Sequence, residues 1–125
     1  MEIILATHNL DKCKELQESL KSSNIKILTL ADFPEIGEII EDGDTLEENA
    51  FIKSRTVFNL TKIPTISDDT GLEVDALDGA PGIYSARYAG INASYSDNVN
   101  KMLKDLKNIE KKLRTATFKT VVTFV

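Results

Sequence analysis

The chain has 125 residues, a formal net charge of −5 and a single cysteine. That length suits one domain, residues 1–125, which at this size buries roughly two thirds of the surface that its unfolded form exposes. The acidic balance disfavours nonspecific nucleic-acid binding, which rests on neutralising phosphates with lysine and arginine; no window approaches the roughly 18 consecutive apolar residues of a membrane span, and one cysteine forms no intrachain disulfide.

The start, "MEIILATHN", has no basic segment ahead of its apolar run and no small-residue cleavage pattern, so no secretory signal is expected and the cytoplasm is the expected compartment. "EIILAT" reads as a buried strand. The following "LDKCKELQESL" sets Leu10, Cys13, Leu16 and Leu20 three or four apart, on one helical face, with Cys13 as a small buried apolar side chain. "NIKILTL" is a second strand, so a β-α-β unit opens the chain.

"ADFPEIGEIIEDGD" is broken by Pro34, Gly37 and Gly43 and predicts loop, with at most a short strand around Glu38 to Ile40. Thr45 and Glu48 then form a capping-box pattern. The helix behind them turns Leu46, Ala50, Ser54, Val57 and Phe58 inward. "IPTIS" predicts a central strand that delivers Asp68 and Asp69 to its C-terminal end, and "LEVDAL" a second, half-exposed strand. "DGAPG" is a turn, and a helix is expected over about Ser96 to Lys107, with Val99, Met102, Leu103 and Leu106 on its apolar side. "TATFKTVVTFV" has the content of a sheet strand, and such an apolar edge is expected to be covered.

Three groups of residues suit chemistry. In "ATHNLDK", Thr7, Asn9 and Lys12 surround a strand-to-helix junction, where free amides, the helix dipole and a lysine favour an anion; the alternative is that Asn9 or Thr7 caps the helix and Lys12 is a surface lysine. His8 reads as a packing or supporting residue. In "EDGDTLEENA", clustered carboxylates suit a hard cation such as magnesium, although first-turn placement accounts for Glu47 and Glu48 and leaves Glu41 and Asp42 unaccounted for. In "SDDTG", a strand that persists through Asp68 and Asp69 points their side chains to opposite faces, which gives them different duties. Thr70 and Gly71 would let the chain turn close to a ligand, or the whole motif is an ordinary turn. Taken together, the groups predict one phosphate and magnesium site with a carboxylate that activates water. The lysine-rich segment from Lys101 to Lys119 reads as solvated surface.

These motifs, in order, resemble the inosine triphosphate pyrophosphatase family: "ATHNLDKCKE" its N-terminal motif, "EDGDTLEENAFIK" its acidic helix, and "SDDTGLEVDALDGAPGIYSARYAG" its central signature. The resemblance implies an α/β fold with a mixed elongated β-sheet and flanking helices, a cleft between two lobes and a homodimer. It also implies Mg2+-dependent hydrolysis of inosine, deoxyinosine and xanthosine triphosphates to the monophosphate and pyrophosphate. Carried over by position, Thr7, His8, Asn9, Leu10, Asp11 and Lys12 would hold the triphosphate, Glu41 and Asp69 the metal, and Asp69 would also accept the proton of the attacking water. Thr70 stands where the family usually has a serine on the nucleotide, and Asp68 supports Asp69. "PGIYSARYAG", with Arg87, reads mainly as a structural or dimer-contact segment.

The family's later F-G-Y-D-P and S-H-R motifs are not in this sequence, so the resemblance implies a C-terminally incomplete version of the fold. A shortened homologue that keeps a phosphate and Mg2+ site and acts as part of an oligomer is the competing expectation, and a related pyrophosphatase with altered base choice is another.

Overall fold

The structure is a computed structural model that describes residues 1–125. It is a mixed α/β fold built on a five-stranded sheet, with two compact units: residues 1–69 with 121–125, and residues 70–120.

In the first unit, strand β1 (Glu2–Leu5) lies between β2 (Lys26–Thr29) and β3 (Thr65–Val74), parallel to both. Its unbroken apolar run is what a strand buried on both faces requires. Ile3 and Leu5 pack on one side with Cys13, Leu16 and Leu20 of helix α1 (Leu10–Ser19) and with Ile27 and Ile66. Ile4 and Ala6 pack on the other with Leu30, Ile63 and Val57, the last from helix α2 (Leu46–Thr61). The helices therefore cover opposite faces of the sheet. Burial raises the Cys13 thiol pKa, which suits its packing role. Leu10 departs from the expected inward face: it opens α1 ahead of the core and is 70% exposed.

No strand forms around Glu38 to Ile40. Short 3-10 turns at Leu30–Asp32 and Pro34–Ile36 take up the chain before it instead, the first closed by the Thr29 amide donating to the Asp32 carboxylate at 2.8 Å. The α2 cap is half as expected: the Thr45 hydroxyl accepts the Glu48 amide at 3.0 Å, but the Glu48 carboxylate reaches back to the amide of Asp44. Leu46, Ala50, Ser54 and Val57 are buried as the helical spacing predicts, whereas Phe58 is only half-buried beneath the Lys62 ammonium.

β3 is one ten-residue strand. The aspartates lie inside it rather than at its end, Thr70 and Gly71 do not turn, and "LEV" continues it before a 3-10 turn at Asp75–Leu77 takes the place of the rest of the expected second strand. The reason is a partner distant in sequence. Thr65 exchanges both backbone hydrogen bonds with Val125, and the Asp75 amide donates to the Thr115 carbonyl, so β5 (Ala116–Phe124) runs antiparallel beside β3. The parallel pairing with β1 ends at Ile66, leaving Asp68 and Asp69 just beyond the carboxyl end of β1. In the first unit, β5 contributes Thr123, whose hydroxyl pairs with those of Ser54 and Ser67 at 2.9 Å each and reaches the Ala50 carbonyl at 3.1 Å. All are buried, and all are satisfied.

In the second unit, the two-residue strand β4 (Pro81–Gly82) pairs antiparallel with β3 at Leu72 and Glu73. Helix α3 runs over Tyr95–Asp105, starting a residue before the expected position because Ser94 and Asp97 form a reciprocal cap. Its Val99 and Leu103 are exposed, and with Met102, Tyr88, Leu72 and Phe118 they line an apolar groove of about 430 Å³. The lysine-rich segment is solvated as expected, with Lys101 paired to Asp105 and Lys119 to Glu73, each at 3.2 Å.

Candidate active site

Beyond β1 the chain turns into α1 through Thr7, His8 and Asn9. Asn9 is the helix cap: its Oδ1 accepts the amides of Asp11 at 3.0 Å and Lys12 at 3.2 Å, while the Thr7 hydroxyl accepts the Asn9 amide at 3.1 Å. Asn9 caps the helix as one reading of this junction had it, and Thr7 braces the cap residue. Two of the first-turn amides, those of Asp11 and Lys12, are engaged by Asn9. His8, Leu10 and Asp11 are exposed at the same turn.

Lys12 is not a free surface lysine. Its ammonium crosses to the Asp68 carboxylate, with side chains 39% and 13% exposed. Ile66, two residues before Asp68, packs in the α1-side core, so strand alternation places Asp68 on that face. Ser67 faces the other way, donating to the Ala50 carbonyl of α2, and Asp69 shares that side. The adjacent aspartates do serve opposite faces of one strand. Asp69 is half-buried. Thr70 belongs to the second unit, where its exposed hydroxyl pairs with that of Thr120 at 2.9 Å.

The acidic segment divides by function. Glu47 and Glu48 lie in the first turn of α2, where negative charge suits the helix dipole. Asp42 and Asp44 are exposed. Glu41 alone is tied to the strand: Lys53, from α2, lies with its Nζ 3.1 Å from Glu41 Oε1 and also donates to the Asp68 carbonyl. Lys53 escaped the sequence reading, because a lysine at a helical position looks like solvated surface. Its place one turn after the buried Ala50, on the side of α2 that faces β3, was the available signal. Arg87 stacks over the Tyr84 ring, 5.0 Å from its centroid, a packing role within the second unit.

No three His, Cys, Asp or Glu side chains converge as a metal cluster. The donor chemistry nevertheless fits magnesium, which takes oxygen ligands, keeps several waters and commonly uses one or two carboxylates together with substrate phosphates. Carboxylates such as those of Glu41 and Asp69 would supply oxygen ligands of that kind.

Residues 3–125 match the model of the Ham1 family. The chain belongs to the Ham1 family. The Ham1-family chain is 53% identical over 117 residues to the dITP/XTP pyrophosphatase of Listeria monocytogenes serotype 4b, covering 94% of itself and 58% of that relative. It is 44% identical over 120 residues to the dITP/XTP pyrophosphatase of Geobacter sulfurreducens, covering 96% and 60%. Among solved structures, a HAM1 protein from Coxiella burnetii superposes with a TM-score of 0.92 at 38% identity, covering all of this chain and 63% of that one. The Staphylococcus aureus Ham1 protein gives 0.88 at 36% identity, with the same coverage. This Ham1-family chain thus spans about 60% of the length of the curated relatives it matches. The family and the mixed α/β fold agree with the motif resemblance.

Proposed function

We propose that the chain is a nucleoside triphosphate pyrophosphatase acting with Mg2+ on inosine, deoxyinosine and xanthosine triphosphates. The observation that carries this reading is the pairing of Lys12 with Asp68 immediately beside Asp69, on a strand whose other face meets α2 and Lys53. The relatives named dITP/XTP pyrophosphatase supply the substrate class.

Water attacks the phosphorus nearest the sugar, its proton passing to Asp69. A new oxygen–phosphorus bond forms as the bond to the bridging oxygen breaks, and pyrophosphate leaves with the electron pair. Lys12 places a point charge against the triphosphate, and Asp68 holds that charge in position. Residues Thr7 to Lys12 form the wall against the phosphates. Glu41 and Asp69 would hold Mg2+, which when bound neutralises charge on the triphosphate and its leaving group. The family resemblance also supports a homodimer.

The second reading is binding without turnover, with the phosphate and Mg2+ residues retained. Pyrophosphate release from deoxyinosine triphosphate with Mg2+, compared with adenosine triphosphate, separates the two. Release that prefers the inosine substrate upholds the first reading. Binding of the nucleotide by the folded chain without release replaces it with the second.

A further inference from the structure

Lys53 is an ammonium group placed on two oxygens. Its side chain is only 15% exposed, one acceptor is the Glu41 carboxylate at 3.1 Å, and the other is the backbone carbonyl of Asp68. A lysine ammonium is a compact, strongly hydrated point charge on a flexible stem. Taken out of water, it stays where it finds acceptors until another anion replaces them. Lys12 is already paired with the Asp68 carboxylate, on the α1 side of the strand, so it is not the cation that Glu41 receives.

We infer that Lys53 is an internal cation that occupies Glu41 in the nucleotide-free chain and competes with a divalent ion for that carboxylate. This rests on the reading of Glu41 as a metal contact. A divalent ion arriving alone must strip the ammonium from Glu41 and leave it without its charged partner. An ion arriving with a triphosphate brings a phosphate oxygen that takes the ammonium over. Metal and nucleotide therefore bind with positive coupling, and by reciprocity each strengthens the other. Lys53 thus sets this coupling and biases the site against the bare ion.

The test is the binding of Mn2+ alone, followed by the electron paramagnetic resonance signal of the free ion. Lys53→Met is expected to bind Mn2+ about tenfold more tightly than the unmodified chain, within the range of such couplings. Lys53→Arg, which keeps the charge, stays at the unmodified level, and the gain vanishes in the Lys53→Met, Glu41→Gln double variant. Lys53→Gln gives the same gain as Lys53→Met and serves in its place if circular dichroism shows that the methionine variant is unfolded. Binding in the single neutral variants that is no tighter than in the unmodified chain overturns the inference, as does a gain that survives the loss of Glu41. A gain without hydrolysis of deoxyinosine triphosphate counts against the proposed function alone; hydrolysis without a gain counts against this inference alone.

Discussion

Lys12 on α1 and Asp68 on β3 form an ion pair that bridges helix and strand one residue before Asp69, on the opposite face from it. The pair is neither fully buried nor fully solvated, so its worth lies between the near-zero value of exposed pairs and the several kcal/mol lost when a buried pair is broken. Asp68→Asn is expected to cost about 1–2 kcal/mol in urea unfolding. Adding Lys12→Met costs less than the two single changes summed, since both remove the same contact. Strict additivity would mean that the pair does not form in solution.

Asp69→Asn keeps the shape of the side chain and removes the base. Deoxyinosine triphosphate hydrolysis is expected to fall by about 10²–10⁴-fold, the usual contribution of a positioned general base, with the circular dichroism spectrum unchanged. Retained turnover in a folded variant would sink the assignment of Asp69.

Gly43 lies where the acidic segment meets α2. A Cβ there would stand 2.6 Å from the Cβ of Glu48 and 2.8 Å from Oδ1 of Asn49, the atom that accepts the Gly43 amide at 2.8 Å. Gly43→Ala is expected to cost about 1–3 kcal/mol, as overpacking does, and thermal unfolding reads it directly. A variant as stable as the parent would show that this close approach is not present.

Tyr88 is pushed up to about 12, first by burial and then by its hydrogen bond to Asp105 and the charge of that carboxylate. Asp105 is held below the ordinary carboxylate range, first by the Tyr88 hydroxyl and then by Lys101. The tyrosine's raised value means that its stabilising contribution is complete below its unfolded value of about 10 and is lost as pH climbs through about 12. For Asp105 the sign reverses: its contribution is present above its unfolded value of about 3.9 and is lost as pH falls through the lower folded value. Asp105→Asn should bring the Tyr88 titration down from about 12 while burial keeps it above about 10. Ultraviolet difference titration, with Tyr88→Phe identifying the signal, measures it.

Much of the first unit was legible because its signals are local. The apolar run of β1, the spacing of Cys13, Leu16 and Leu20, and the Thr45 cap each declare themselves within a few residues. The opposite-face placement of Asp68 and Asp69 also followed from strand alternation once the strand was allowed to continue. Its continuation was hidden, because Asp and Gly are turn residues by propensity and the ladder that keeps them extended comes from β5, far along the chain. Lys53 was missed for the related reason that its acceptors, Glu41 and the Asp68 carbonyl, come from two other segments. At Asn9 the sequence left open whether it caps the helix, and the hydrogen bonds to Asp11 and Lys12 show that it does.

The Ser54, Ser67 and Thr123 hydroxyls, gathered near the Ala50 carbonyl, also bear on how the protein is made. Two of them emerge from the ribosome early, but the third follows only after residues 70–120 have been synthesised. At roughly 5–20 residues per second, that delay is on the order of seconds. During it, one edge of β3 and the polar groups of α2 beneath it await their partner, while β1, β2 and α1 can already assemble through short-range contacts. The nascent chain thus carries a half-built sheet across a defined interval of translation, and that interval is when chaperone access matters most to it.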